Sequence, residues 1–321
     1  MASSAPPRRE PPGVYRRRRL VAGGTLVLLL LGIAFATGAF DGGDDAAAPA
    51  ERRSAQQPAP PAELPRGGRT ILPEKRVVAY YGAPQSRELG ALGIGSPDRA
   101  AGRLARQARA YERKRRPVLP ALELITVIAN ADPGEDGMYR SRQSNRIIRR
   151  YVRAARRHDM LLVLDIQPGR SDFFTETTRL ERWLREPDVG LALDPEWRVE
   201  PPHVPAQVIG HVDAREVNAT SAWLAQLVAR HQLPQKLFIV HQFTDDMVDD
   251  RRLKQRAELA MVLNADGFGA RPVKVSKYRA FTRAAKSFHQ GFKLFYQEDV
   301  GLMSPAQVLR LRPSPDVVVY E

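Results

Sequence analysis

The chain of 321 residues contains no cysteine. That excludes disulfides, thiolate metal sites, a cysteine nucleophile and a thioether-linked lipid anchor. Its six histidines are scattered singly, which argues against a zinc enzyme. Neither a G-x-G-x-x-G nor a P-loop occurs, so no nucleotide site, no cofactor and no metal are expected. What is present reads as globular: 43% hydrophobic and 27% charged residues rule out wholesale disorder. The length fits two domains or a single α/β barrel of about 250 residues.

The net charge of +14 is unevenly spread. Residues 1–19 carry six arginines against Glu10, a net +5. Residues 20–40 follow with no charge at all, 21 residues long. A run of about 20 apolar residues spans a bilayer as a helix, and a basic flank stays cytoplasmic. The expectation is a single-pass anchor with the rest of the chain outside the cell membrane. A cleaved signal is the alternative, since Ala34, Ala36 and Ala39 offer small residues for cleavage, and the arginine run beside an apolar segment also fits a twin-arginine export signal. Residues 41–70 are rich in Ala, Pro, Gly and Asp and read as a disordered tether of net charge −1. That leaves a globular part at 71–321 carrying +10. No nucleic-acid recognition motif accompanies the basic charge, and export would remove the chain from DNA, so no nucleic-acid partner is expected.

Within 71–321, eight short β-rich runs alternate with helical segments. The predicted strands are 76–82, 121–128, 160–167, 189–196, 236–243, 258–266, 292–297 and 316–320. The predicted helices are 96–115, 139–158, 175–185, a segment opened by Asp213 and running to 231, 246–256, 274–288, and a short one opened by Ser304-Pro305. Asp213 and Glu216 have capping-box spacing. Eight alternations predict an α/β fold, a (β/α)8 TIM barrel, with the last helix missing because the eighth strand ends the sequence. Parity agrees. In the third strand Leu161, Val163, Asp165 and Gln167 share one face, in the fourth Gly190, Ala192, Asp194 and Glu196, and in the sixth Ala260, Val262, Asn264 and Asp266. In each the polar residues lie at the carboxyl end, where barrels keep their chemistry.

The strongest chemical candidate is Asp194-Pro195-Glu196, followed by Trp197 and Arg198. Two carboxylates two residues apart on an extended segment point the same way, and close carboxylates split their pKa values into an acid and a base. The alternative is that they cap a helix or pair with Arg198. Asp165 and Gln167 form a second candidate, with Arg170 following Gly169 in a tight loop and suited to clamping an anion or a sugar hydroxyl. Glu298 and Asp299, beside Tyr296, end the seventh strand; the other reading is a solvated loop. Tyr80, Tyr81 and Trp197 offer aromatic faces for sugar stacking. His241 and Gln242 end strand five, and Asp266 ends strand six in a glycine-rich turn. Glu123 lies mid-strand; facing the axis it would need a partner, Lys293 or an arginine.

Asp194-x-Glu196 on a fourth barrel strand resembles the D-x-E of family 25 muramidases and the longer acidic motif of family 18 chitinase-like glycosidases. The full D-x-x-D-x-D-x-E is absent, because Gly190, Leu191, Ala192 and Leu193 precede Asp194. The Ala/Arg/Pro bias is similar to that of exported proteins of high-GC bacteria. The glycosidase resemblance implies Glu196 as proton donor, Asp194 as stabiliser, and a strand-seven acid, Glu298 or Asp299, opposite them. It implies a glycoside hydrolase-like enzyme acting on an extracytoplasmic, cell-envelope glycan. The alternatives are a non-catalytic glycan-binding barrel and, less favoured, a metal-dependent hydrolase using Asp165, Asp194 and Asp266.

Overall fold

The computed structural model describes residues 61–248 and 252–321. Eight parallel strands close on themselves: β1 (Arg76–Gly82), β2 (Val118–Ala129), β3 (Leu161–Ile166), β4 (Val189–Leu193), β5 (Lys236–Gln242), β6 (Leu259–Ala265), β7 (His289–Leu294) and β8 (Val317–Tyr320). Each pairs with its sequence neighbour, and β8 pairs back onto β1 through Val77–Val317 to Tyr80–Tyr320. No barrel edge is left open, which removes the row of unpaired amides that an open sheet would expose.

The helices α1 (Pro97–Arg109), α2 (Asn145–Arg157), α3 (Phe173–Arg179), α4 (Glu181–Leu184), α5 (Ala214–Arg230), α6 (Arg271–Ala284) and α7 (Pro305–Leu309) lie in the connections. The strand faces divide into two apolar groups. Val78, Leu162, Leu191 and Phe238 pack outward with the helices, while Ala79, Val163, Ala192 and Ile239 fill the axis. The parity read from strands three, four and six therefore holds for their apolar residues, and it sends Asp165, Asp194 and Asp266 to the axis side.

Several local expectations need correction. The fourth strand stops at Leu193, and Pro195–Trp197 form a 3-10 turn, because proline brings no amide to a ladder and starts a helical turn readily. Asp194 and Glu196 are therefore not on one extended segment. The helix expected from 139 begins at Asn145, capped by Ser144 Oγ. Residues Arg140–Arg142 instead form a short antiparallel strand on β2. Alternation puts both arginines on one side, where they clamp buried Glu176 at 2.9 and 2.6 Å. Asp172 caps α3, and the helix expected over 175–185 breaks at Leu180 into α3 and α4. Asp213 does cap α5, but Glu216 turns away from a capping box to accept from the Phe173 amide at 2.7 Å. The first helix ends at Arg109 rather than 115, where Tyr111 leaves to bury itself against Tyr320, hydroxyl to hydroxyl at 2.6 Å. The described parts of 246–256 hold no α-helix.

Residues 61–70, read as tether, pack under the barrel. Leu64, Ile71 and Leu72 join the axis cluster, Arg69 donates to Gln232 and Leu233 carbonyls, and Gln235 accepts the Ile71 and Leu72 amides. The amino end of the barrel is thereby stoppered by apolar side chains. Among the described residues no helix is long and apolar enough to cross a membrane, and the run 20–40 lies outside them.

One buried cation at this lower end makes a testable demand. Lys236 is 1% exposed and donates to the carbonyls of Glu186 and Val189 at 2.7 and 2.8 Å. Burial lowers its pKa from 10.5 to about 7, with Asp188 and Glu186 opposing the shift. Between those two values the unfolded chain binds more protons, so this group makes stability rise with pH across that window. Lys236→Met removes the dependence. The stability of the variant relative to the unaltered chain should be greater at pH 6 than at pH 9 by on the order of 2 kcal/mol. Denaturant melts at the two pH values check this; an equal difference at both contradicts it.

Candidate active site

The carboxyl ends of the strands bring a charged layer onto the apolar axis. Glu123 of β2, Asp165 of β3, His241 of β5 and Lys293 of β7 are each no more than 2% exposed, and Asp194 and Asp266, just past β4 and β6, are 3% exposed. Tyr81 of β1 and Glu321 after β8 complete the ring. Lys293 Nζ lies 2.9 Å from Asp266 Oδ2, 2.8 Å from Glu321 Oε2 and 3.8 Å from the centre of the Tyr81 ring. Tyr81 donates its hydroxyl to Asp194 Oδ2 at 3.1 Å and accepts from Gln167 Nε2 at 2.9 Å.

His241 sits between acids on both sides. Its Nε2 is 3.0 Å from Glu123 Oε1 and 3.7 Å from Asp165 Oδ2. Its Nδ1 faces Asn264 Nδ2 at 3.1 Å and Asp266 Oδ2 at 3.4 Å. Glu123 does face the axis, but its partner is His241 rather than Lys293 or an arginine. β7 and β5 are separated around the barrel, and Asp266, just past the intervening β6, meets both Lys293 and His241.

Burial is the common electrostatic cause here. It pushes the Asp165 carboxyl well above the ordinary range, and the Asp194 charge adds to the push. Asp194 is raised by burial too, against the pull of His241 and Lys293. The Tyr81 hydroxyl is driven well up by burial and then by Asp165 and Asp194. Burial and Lys293 both oppose charge on His241, yet its bonds to Asp266 and Glu123 outweigh them and hold it well above its ordinary value.

Other expected site residues fall elsewhere. Glu196 is buried in the turn after β4, with Trp197 half-buried beside it. Arg198 spends its guanidinium on Glu216 at 3.4 Å and Glu200 at 3.3 Å. Arg170 donates to the Pro202 and His203 carbonyls and stacks on Tyr139 at 4.2 Å, stapling loops together. Gln242 is buried at the end of β5, its Oε1 without a hydrogen-bond partner. Glu298 is exposed. Asp299 receives Lys274 Nζ on both oxygens at 2.7 Å and the Gly269 and Phe295 amides, so it ties α6 to the loop after β7. The seventh strand ends at Leu294, three residues earlier than expected. Tyr80 has the outward parity and packs edge-on against Tyr296, which is 41% exposed.

Glu321 was not among the expected residues, and Lys293 entered only as a partner for Glu123. A lysine inside an apolar strand, and the continuation of the Val317, Val319 alternation to Glu321, were the available signals. Fold and site define a (β/α)8 barrel with an ionisable cluster at the carboxyl end of its axis. No protein-family model matches the chain, and no curated protein matches it. A wild-type sialic acid aldolase of Ruminococcus gnavus is similar at 13% identity over 77% of this chain and 67% of that one, with a TM-score of 0.36. That likeness adds nothing to the strand order above.

Lys293 neutralises the cluster on one side, so its loss should be costly. Lys293→Met should destabilise the fold by about 3–5 kcal/mol near pH 8, the usual effect of stranding a buried charge. The deficit should shrink at pH 5, where stranded carboxylates can be protonated. Thermal melts at the two pH values test this, and a deficit independent of pH would contradict it.

Proposed function

We propose that this chain is a glycoside hydrolase-like enzyme that works by carboxylate chemistry at the carboxyl-end mouth of the barrel. Asp194 is the carboxylate that meets the substrate. The observation that carries this reading is the convergence of Asp194, Asp266, Gln167 and Tyr81 from four strands, all polar and all on the axis side. Hydroxyl-rich substrates suit such a ring, because carboxylates and amides accept and donate in turn. Cleaving a glycosidic bond requires a carboxyl pair around the reacting carbon. Glu196, in the adjoining turn, is the proposed second member, as the D-x-E resemblance implies. The proposed substrate is a cell-envelope glycan, reached if the uncharged run 20–40 anchors the chain with its barrel outside.

A second reading is a barrel that binds glycan without cleaving it. It is favoured by the strand-seven acids: Glu298 faces solvent and Asp299 is bound to Lys274. Asp194→Asn distinguishes the two. The amide keeps an acceptor for the Tyr81 hydroxyl and removes a charge from a crowded acidic layer, so the melting temperature should hold or rise. Release of soluble fragments from purified envelope glycan should fall at least about 100-fold. Full cleavage by this variant overturns the role of Asp194. Binding with no cleavage by the unaltered chain overturns the enzymatic reading in favour of the second.

A further inference from the structure

We propose that Glu123, Asp165 and His241 form a divalent-cation site inside the barrel, one layer beneath the mouth. Among the described residues these three offer a set of ligand atoms that all lie within 4.8 Å of one another. They come from β2, β3 and β5, so a closed barrel fixes their relation to one another. Acidic clusters are common without a metal, and three further features separate this one.

First, the carboxylates are not otherwise used. Asp165 is 0% exposed, and neither of its oxygens has a hydrogen-bond partner; Glu123 is 0% exposed and its Oε2 has none either. Sealed, unpartnered carboxylate oxygens lose hydration without compensation, and a coordinated cation restores it. Second, the spacing is right. Two donors each about 2.1 Å from one ion stand roughly 3.0–3.4 Å apart. His241 Nε2 lies 3.0 Å from Glu123 Oε1 and 3.7 Å from Asp165 Oδ2, so shifts of a few tenths of an ångström admit the ion. Third, the far nitrogen of the imidazole is held from behind. Asp266 Oδ2, 3.4 Å from Nδ1, stands on the side to accept the Nδ1 proton in the tautomer that presents Nε2 to the two carboxylates. Metal-bound imidazoles are oriented by such partners.

Charge balance points the same way. Glu123, Asp165, Asp194, Asp266 and Glu321 face His241 and Lys293, so five carboxyl groups, with Asp165 and Asp194 pushed by burial toward the neutral form, meet two basic groups. A dication in place of the imidazole proton adds one further positive charge to this layer. Two carboxylates and an imidazole, with no thiolate, suit Zn2+ or Mn2+, and three protein ligands leave a coordination position for water. Binding displaces the imidazole proton to solvent. The site does not depend on the glycan reading: metal uptake without glycan cleavage would leave it standing, and cleavage by metal-free protein would leave that reading standing.

The test uses the full chain, stripped with chelator and titrated separately with Zn2+ and Mn2+. Bound metal is measured by elemental analysis after gel filtration and affinity by calorimetry. The expected result is one ion per chain for at least one of the two metals, with a proton released. Asp165→Asn, nearly isosteric, should weaken binding at least about 100-fold while circular dichroism stays native; Glu123→Gln should do the same and carries the test should the first variant fail to fold. Absence of stoichiometric binding of either metal, or unchanged affinity in a folded variant, overturns the proposal.

Discussion

A closed parallel barrel sends every second residue of each strand toward an axis from which water is excluded. Any charge placed there needs a counter-charge or a hydrogen bond from a different strand. That constraint governs the upper part of this molecule. Lys293 answers Asp266 and Glu321, His241 answers Glu123 and Asp266, and the Tyr81 hydroxyl answers Asp194. None of these pairs is local in sequence; Tyr81 and Asp194 are 113 residues apart. The cluster therefore exists only when the whole barrel has closed, and closure in turn must tolerate the cluster.

The apolar layers below supply that tolerance. Small residues such as Ala79, Ala121 and Ala192 let the strands approach on the axis, and the chain at 61–72 seals the lower end with Leu64, Ile71 and Leu72. Gly190 has a similar purpose, since a Cβ there would stand 2.7 Å from the Leu237 carbonyl oxygen. With the floor sealed and apolar, the polar groups on the axis gather toward its carboxyl end, the end where barrel enzymes keep their chemistry. The basic charge lies outside it: on α2, Arg146, Arg149, Arg150 and Arg153 are exposed, while Arg156 and Arg157 pair with Asp188 and Asp98. The basic charge of α2 thus belongs to the solvated rim and is opposite in sign to the acids of the axis cluster.

What could be read from sequence follows from the same geometry. Strand existence and parity were legible because alternation is a local, period-two signal, and Asp165, Asp194 and Asp266 emerged from it directly. The partners were not legible. His241 looked like a lone histidine because its acids come from β2, β3 and the end of β6. Lys293 was obscured because Phe292 to Tyr296 do not alternate. Asp194-x-Glu196 looked like a pair on one strand until Pro195 turned the chain into a 3-10 turn. Arg170 and Asp299 carried the right chemistry for a site, but loop contacts absorb both.

The central claim is that the axis charges form one connected network in which acids hold His241 on both sides. The most direct measurement is the protonation of His241 in chelator-treated protein, followed by the nitrogen chemical shifts of its imidazole across pH. Bonds to Glu123 and Asp266 predict an imidazole that stays charged well above its ordinary range near 6.5. An imidazole that titrates near 6.5, or is neutral throughout, would contradict the network and the pairing on which the site is built.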